Sequence, residues 1–231
     1  MISKVQGFKS KTPVVVITIL MAACSIIYEL VLAQTLTALF GGVVLRYSIT
    51  IGLYLLGLGL GALYFERYSH GSADRFFRTQ LILSTLGSLG FISLIFISGW
   101  QYDFPWLVWA YAHSLIVIIG FFSGLEIPLM NALNKNKLTQ TLSLDYLGGL
   151  IGSVCFPLIL YPYFGLITTS LIAAFINLSL CTYLAFTFKK PTGVKVLLIV
   201  ALVVFLILLI NQETLIEILK NIYITGTLNG Y

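Results

Sequence analysis

The chain has 231 residues, of which 59% are hydrophobic and only 9% charged, and its mean hydropathy is +1.01. A soluble domain carries about 25% charged residues, so this composition cannot clothe a water-facing globule. It excludes a soluble enzyme, a disordered chain and a nucleic-acid-binding domain, and it predicts an all-α, polytopic integral membrane bundle. About seven transmembrane helices of ~20 residues each, with short connections, fill the length.

Lys4, Lys9 and Lys11 precede the first apolar run, 13–39, which opens with Pro13 at a first-turn position. Met21-Ala22-Ala23-Cys24 resembles a lipoprotein cleavage box, but apolar sequence continues well past Cys24, so the run reads as a membrane span. Within it Ala22, Ser25, Glu29, Ala33 and Thr37 recur every three or four residues and predict one small, polar helix face. The second span, 48–65, carries Gly57 and Gly61 four apart, and the third is read over 80–100. The fourth, 105–131, starts at Pro105 and holds His113 and the segment Gly124-Leu125-Glu126-Ile127-Pro128.

Asp145 sits at the start of the fifth span, 144–164, in a predicted first turn that the helix macrodipole favours for an acid. Gly148 and Gly152 follow, with Gly149 and Ser153 one step on, and Pro157 predicts a kink. Small residues at this spacing let helices approach closely, within one subunit or across a dimer. Tyr161-Pro162-Tyr163-Phe164-Gly165 is a short connection to the sixth span, 166–188, and the seventh covers 194–211. The membrane domain is thus 1–211. The tail, 212–231, has Leu215, Ile218, Leu219 and Ile222 beside Glu213, Glu217 and Lys220, which suits either an interfacial helix or a continuation of the seventh span.

Cys24, Cys155 and Cys181 lie in apolar runs without metal-ligand spacing, so no metal site and no cofactor is expected. No phosphate loop, dinucleotide fingerprint or nucleophile elbow occurs, and no catalytic residue is assigned.

The net charge is +5. With the N-terminus in the cytoplasm, Lys4, Lys9, Lys11, Arg67, Arg75, Arg78, Lys135, Lys137, Lys189, Lys190 and Lys195 all fall inside. Arg46 and Lys220 alone of the 13 basic residues remain outside. That asymmetry is the positive-inside pattern, and it accounts for the basic balance without nucleic acid. Trp100, Tyr102, Trp106 and Trp109 cluster at the expected outer interface. Seven spans then place the C-terminus outside.

A charge in hydrocarbon costs about 2.5–3.5 kcal/mol on insertion scales, so membrane acids are candidate functional groups. Glu29, Glu126 and Asp145 qualify, and away from the span ends there is no lysine or arginine to pair with them. At about 1.5 Å per residue, Glu29 lies ~15 Å and His113 ~12 Å below the outer boundary, a depth that permits contact. Each could equally bond a neighbouring tyrosine, asparagine or carbonyl and only lock the bundle. Glu126 and Asp145 flank the fourth loop and could share a cation site, because Pro128 frees a carbonyl beside the acid.

Ile27-Tyr28-Glu29-Leu30, Leu39-Phe40-Gly41-Gly42, Gly57-Leu58-Gly59-Leu60-Gly61, Gly124-Leu125-Glu126-Ile127-Pro128-Leu129 and Asp145-Tyr146-Leu147-Gly148-Gly149-Leu150-Ile151-Gly152-Ser153 belong together. With Phe156-Pro157-Leu158 and Pro162-Tyr163-Phe164-Gly165-Leu166, they resemble the membrane region of bacterial membrane-bound spermidine synthases over most of residues 20–188. That region is itself similar to half of a major-facilitator transporter. The resemblance implies a bacterial inner-membrane location and a polar ligand-facing role for Asn177. In fused members an aminopropyltransferase domain follows; this chain ends at Tyr231, where such a domain would be starting.

The expectation is therefore a non-enzymatic membrane module that binds or passes a cationic amine such as a polyamine, or serves a soluble enzyme that makes one. A structural subunit docking a partner membrane protein, and a proton- or cation-coupled transporter or channel component using Glu29 and His113, are the alternatives. The lipid bilayer is a partner in every case.

Overall fold

The structure is a computed structural model that describes residues 12–68, 73–133 and 137–228. Lys4, Lys9, Lys11 and Lys135, on which part of the charge asymmetry rests, lie outside the described residues. The helices are α1 (Thr12–Phe40), α2 (Val43–Tyr68), α3 (Ala73–Ser98), α4 (Pro105–Leu133), α5 (Leu138–Cys155), α6 (Tyr161–Thr187), α7 (Thr192–Ile210) and α8 (Gln212–Leu228), and a π-helical turn (Phe156–Leu160) joins α5 to α6. Among the described residues there is no strand.

By length and composition, six helical stretches can cross a membrane, and one of them, Leu138–Thr187, is 50 residues long. At about 1.5 Å per residue that is far more than one bilayer crossing needs. Gly165 resolves it. Its φ of 70° and ψ of −175° break the helix and reverse the chain, in a region of backbone space that is essentially glycine's alone. Both arms then pack against α1. Seven long apolar helices result, with the fifth and sixth forming a hairpin where the sequence places one.

Three expectations need correction. The third helix starts at Ala73 and not at residue 80, so Gln80 lies two turns inside it. Asp145 is likewise about two turns into α5, which opens at Leu138 with no acid in its first turn, so the macrodipole does not explain this acid. Pro157 does not simply kink a helix. The chain passes it in a π-helical turn, in which the Tyr161 N–H reaches the Phe156 carbonyl five residues back, a wider turn that accommodates the missing donor. The tail forms a separate helix, α8, against α3, α6 and α7, with Leu219 buried.

Packing is led by two parallel pairs. α2 lies along α4, where a methyl group on Gly57 would overlap the Val117 carbonyl, one on Gly61 the Phe121 carbonyl, and one on Gly124 the Leu58 carbonyl. α5 lies along α1, with Gly148 against Ile19 and Ala22 and Gly152 against Ala23. The glycine faces are thus used inside the chain. α1 runs through the middle, packed by α2, α3, α4, α5 and α6.

The exterior is apolar where a soluble bundle would be charged. Leu55, Leu56 and Leu63 of α2, Leu150 and Val154 of α5, and Val200, Val203 and Ile207 of α7 are all exposed. The polar side chains Ser25, Glu29, Thr50, Gln80, Ser84, Ser123, Glu126 and Asn177 are buried.

Candidate functional site

A polar layer crosses the bundle between two apolar clusters. On α3, Gln80 falls between Phe77 of one cluster and Leu83 of the other; on α4, Ser123 falls between Leu125 and Ile119 in the same way. Helical spacing brings these groups inward. Ser25 and Tyr28 share a face of α1, and Gln80, Ser84 and Ser88 form a four-residue repeat on α3. Tyr28 is fully buried beneath Gly87, whose missing side chain gives the ring its room.

Glu126 is the centre of the layer, at 3% exposure. The Ser25 hydroxyl donates to its Oε2 at 2.5 Å, joining α1 to α4. Gln80 stands beside the same carboxyl, and the Asn177 amide donates to Gln80 Oε1 at 3.0 Å, so α3 and α6 complete the ring. Ser84 and Asn177 flank the Tyr28 hydroxyl. Even so, Glu126 Oε1, Asn177 Oδ1, Gln80 Nε2, Ser84 Oγ, Ser123 Oγ and Tyr28 Oη are buried without a hydrogen-bond partner among the described residues. Native interiors leave few such atoms per hundred residues. Here six share one layer.

The other two acids lie around it. Glu29 is one turn beyond Ser25 on α1, and Asp145 is half-buried on α5. Glu29, Glu126 and Asp145 all lie within electrostatic reach of the Tyr54 hydroxyl, which itself sits beside Ser123. Glu126 and Asp145 are also electrostatic neighbours of each other, with no hydrogen bond joining them. Neither Glu29 nor Asp145 makes a side-chain hydrogen bond or an ion pair among the described residues.

His113 is placed elsewhere. It stacks on Trp109 at 5.7 Å, and Trp109 in turn carries Arg46 over its ring at 4.0 Å and Phe40 at 4.6 Å. The structure thus gives His113 an aromatic and basic neighbourhood at the end of the bundle and no bond to Glu29.

Of the residues singled out from sequence, Glu126 and Asn177 enter the polar layer, Glu29 and Asp145 flank it, and Gly57, Gly61, Gly148 and Gly152 build the helix contacts around it. Sequence reasoning missed Gln80, Tyr28, Ser84, Ser123 and Tyr54. The repeat of Gln80, Ser84 and Ser88 is a visible signal, but the span expected over 80–100 begins at its first member and so hides it.

The chain is 30% identical over 179 residues to the polyamine aminopropyltransferase of Oceanobacillus iheyensis, a match covering 74% of this chain and 34% of that protein. It is 31% identical over 186 residues to polyamine aminopropyltransferase 1 of Streptomyces coelicolor, covering 75% and 34%, and 30% identical over 183 residues to polyamine aminopropyltransferase 2 of Ralstonia nicotianae, covering 75% and 35%. The chain spans about a third of the length of the curated relatives it matches. No family model matches it, and no solved structure does.

These relatives overturn the expectation of a non-enzymatic chain, because proteins named for a transferase activity share three quarters of it. That expectation rested on the lack of a nucleotide-binding motif. The matched stretch is a minor part of each relative, so its motifs cannot decide the activity of the whole.

Proposed function

We propose that this chain is a membrane-embedded helical region that serves polyamine aminopropyl transfer by holding a cationic amine at the carboxylates of its bundle. One observation carries the reading: Glu29, Glu126 and Asp145 all lie within electrostatic reach of Tyr54, and among the described residues none of them forms an ion pair. Carboxylates in an apolar bundle are costly unless something neutralises them. A di- or polyammonium ion supplies several positive charges on one flexible apolar chain, and the names of the relatives point to the same chemistry. Asp145 and Glu29 are the first contacts for the amine, with Glu126 behind them. The apolar exterior supports insertion in the bacterial inner membrane, and the basic residues favour a cytoplasmic N-terminus.

The two rival readings draw less support. An assembly subunit would dock through the glycine faces, which are consumed by α4 and α1. A cation-coupled path through Glu29 and His113 lacks the pairing of those two residues.

The test is thermal melting of the full chain in detergent, in choline chloride, with and without spermidine. A ligand that binds only the native state stabilises it by about 2.7 kcal/mol at a hundredfold excess over its dissociation constant. Wild type is expected to melt higher with millimolar spermidine, and the double variant Asp145→Asn, Glu29→Gln to lose that rise while folding normally. Melting of the wild type that is indifferent to spermidine would remove the proposal.

A further inference from the structure

Glu126 Oε1, Asn177 Oδ1, Ser84 Oγ and Tyr28 Oη come from four different helices, α4, α6, α3 and α1, and each is buried with no hydrogen-bond partner among the described residues. They belong to one contiguous set: Tyr28 lies beside Ser84 and Asn177, Asn177 is bonded to Gln80 at 3.0 Å, and Gln80 lies against Glu126. The Ser25 hydroxyl occupies only the other carboxylate oxygen. Buried oxygens without well-formed partners cost free energy, and an occupant that joined those of four helices would recover it.

The chemistry of the donors narrows what that is. All four are oxygens, the ligands of hard cations, and no group of three His, Cys, Asp or Glu side chains able to hold a metal occurs among the described residues. One carboxylate balances one positive charge, whereas a divalent ion would leave an excess charge in a dry interior. The four residues are each at most 3% exposed, so the occupant is small. Membrane bundles build sodium sites from such a set: one acid or none, with hydroxyl and amide oxygens replacing the hydration shell. We propose that this layer binds one dehydrated monovalent metal cation of sodium's size, held by Glu126, Asn177, Ser84 and Tyr28. The ion ties α1, α3, α4 and α6 at mid-bundle. This site shares Glu126 with the amine reading, whose first contacts are Asp145 and Glu29.

The experiment is thermal melting of the full chain in detergent while sodium chloride replaces choline chloride at constant ionic strength, without amine. The wild type is expected to show a saturable rise with sodium and a weaker one with potassium. Ser84→Ala is expected to raise the half-saturating sodium concentration roughly tenfold, the loss of one good ligand, and Glu126→Gln and Asn177→Ala to abolish the response. Where Glu126→Gln does not fold, Asn177→Ala and the wild-type titration decide. Identical melting in sodium and choline would overturn the proposal, leaving a hydrated or protonated layer. A sodium response that survives in Asn177→Ala would also overturn it, by placing the ion elsewhere. Stabilisation by spermidine without any by sodium would leave the amine reading standing and remove this one.

Discussion

Ser25 is a small residue with a large assignment, because its hydroxyl donates directly to the buried Glu126 carboxyl and ties α1 to α4. A hydrogen bond to a charged group contributes about 1.5–3 kcal/mol, and its loss leaves the partner buried and unpaired. Ser25→Ala is therefore expected to lower stability by roughly that amount, read as a drop in melting temperature. Ser153 is the matched control. Its hydroxyl bonds only the Leu150 carbonyl of its own helix and is exposed, so Ser153→Ala should stay within about 0.5 kcal/mol of wild type. Equal effects of the two substitutions would mean that the link from Ser25 to Glu126 contributes nothing. Asn177 and Gln80 extend the same logic across the bundle. Neither partner could be assigned from sequence, since periodicity tells which side of a helix faces inward and not which helix it meets.

Two glycines on α2, two residues apart, separate packing from propensity. Gly59 is exposed and a methyl group there would meet nothing within 4 Å, while one at Gly61 would run into backbone of α4. Gly59→Ala is expected to gain about 0.5–1 kcal/mol, the cost glycine imposes inside a helix. Gly61→Ala is expected to lose about 1–3 kcal/mol, because backbone cannot yield as a flexible side chain does. Opposite signs in the melting temperatures check this; the same sign would refute the α2–α4 contact. The elements themselves were legible where composition changes abruptly. Pro105 opens α4, and Pro162-Tyr163-Phe164-Gly165 marks the hairpin, because proline and a glycine of positive φ act through local sterics that a sequence states outright. The π-helical turn at Phe156 was not legible, since a proline inside an apolar run signals a disturbance but not its form. The start of α3 was missed for a related reason. Its first turns carry Arg75, Arg78 and Gln80, which read as loop until their helix is seen to continue past them.

At the scale of the whole molecule, the alternation of seven long helices and the basic residues at one end make a prediction about sidedness. Reporter fusions after Lys137 and after Asn211 should report opposite sides of the membrane, with Lys137 cytoplasmic. Two fusions on the same side would show that one of the three intervening helices, α5, α6 or α7, does not cross. The count matters most for α5 and α6, which run on as one helical stretch of 50 residues and are divided by the break at Gly165.

The two tightest contacts also have a bearing on how the protein is made. α2 closes on α4 and α5 closes on α1, each across at least one intervening helix, and each through glycines that admit backbone and little else. A ribosome delivers α2 before α4 and α1 long before α5. For that interval the glycine face of α2 and the face of α1 around Ala22 and Ala23 stand uncovered. Assembly is then a matter of waiting: the early helices must stay unmatched until the right partner emerges, and a chain halted after α3 would present two bare faces to any neighbour of similar shape, including another halted copy.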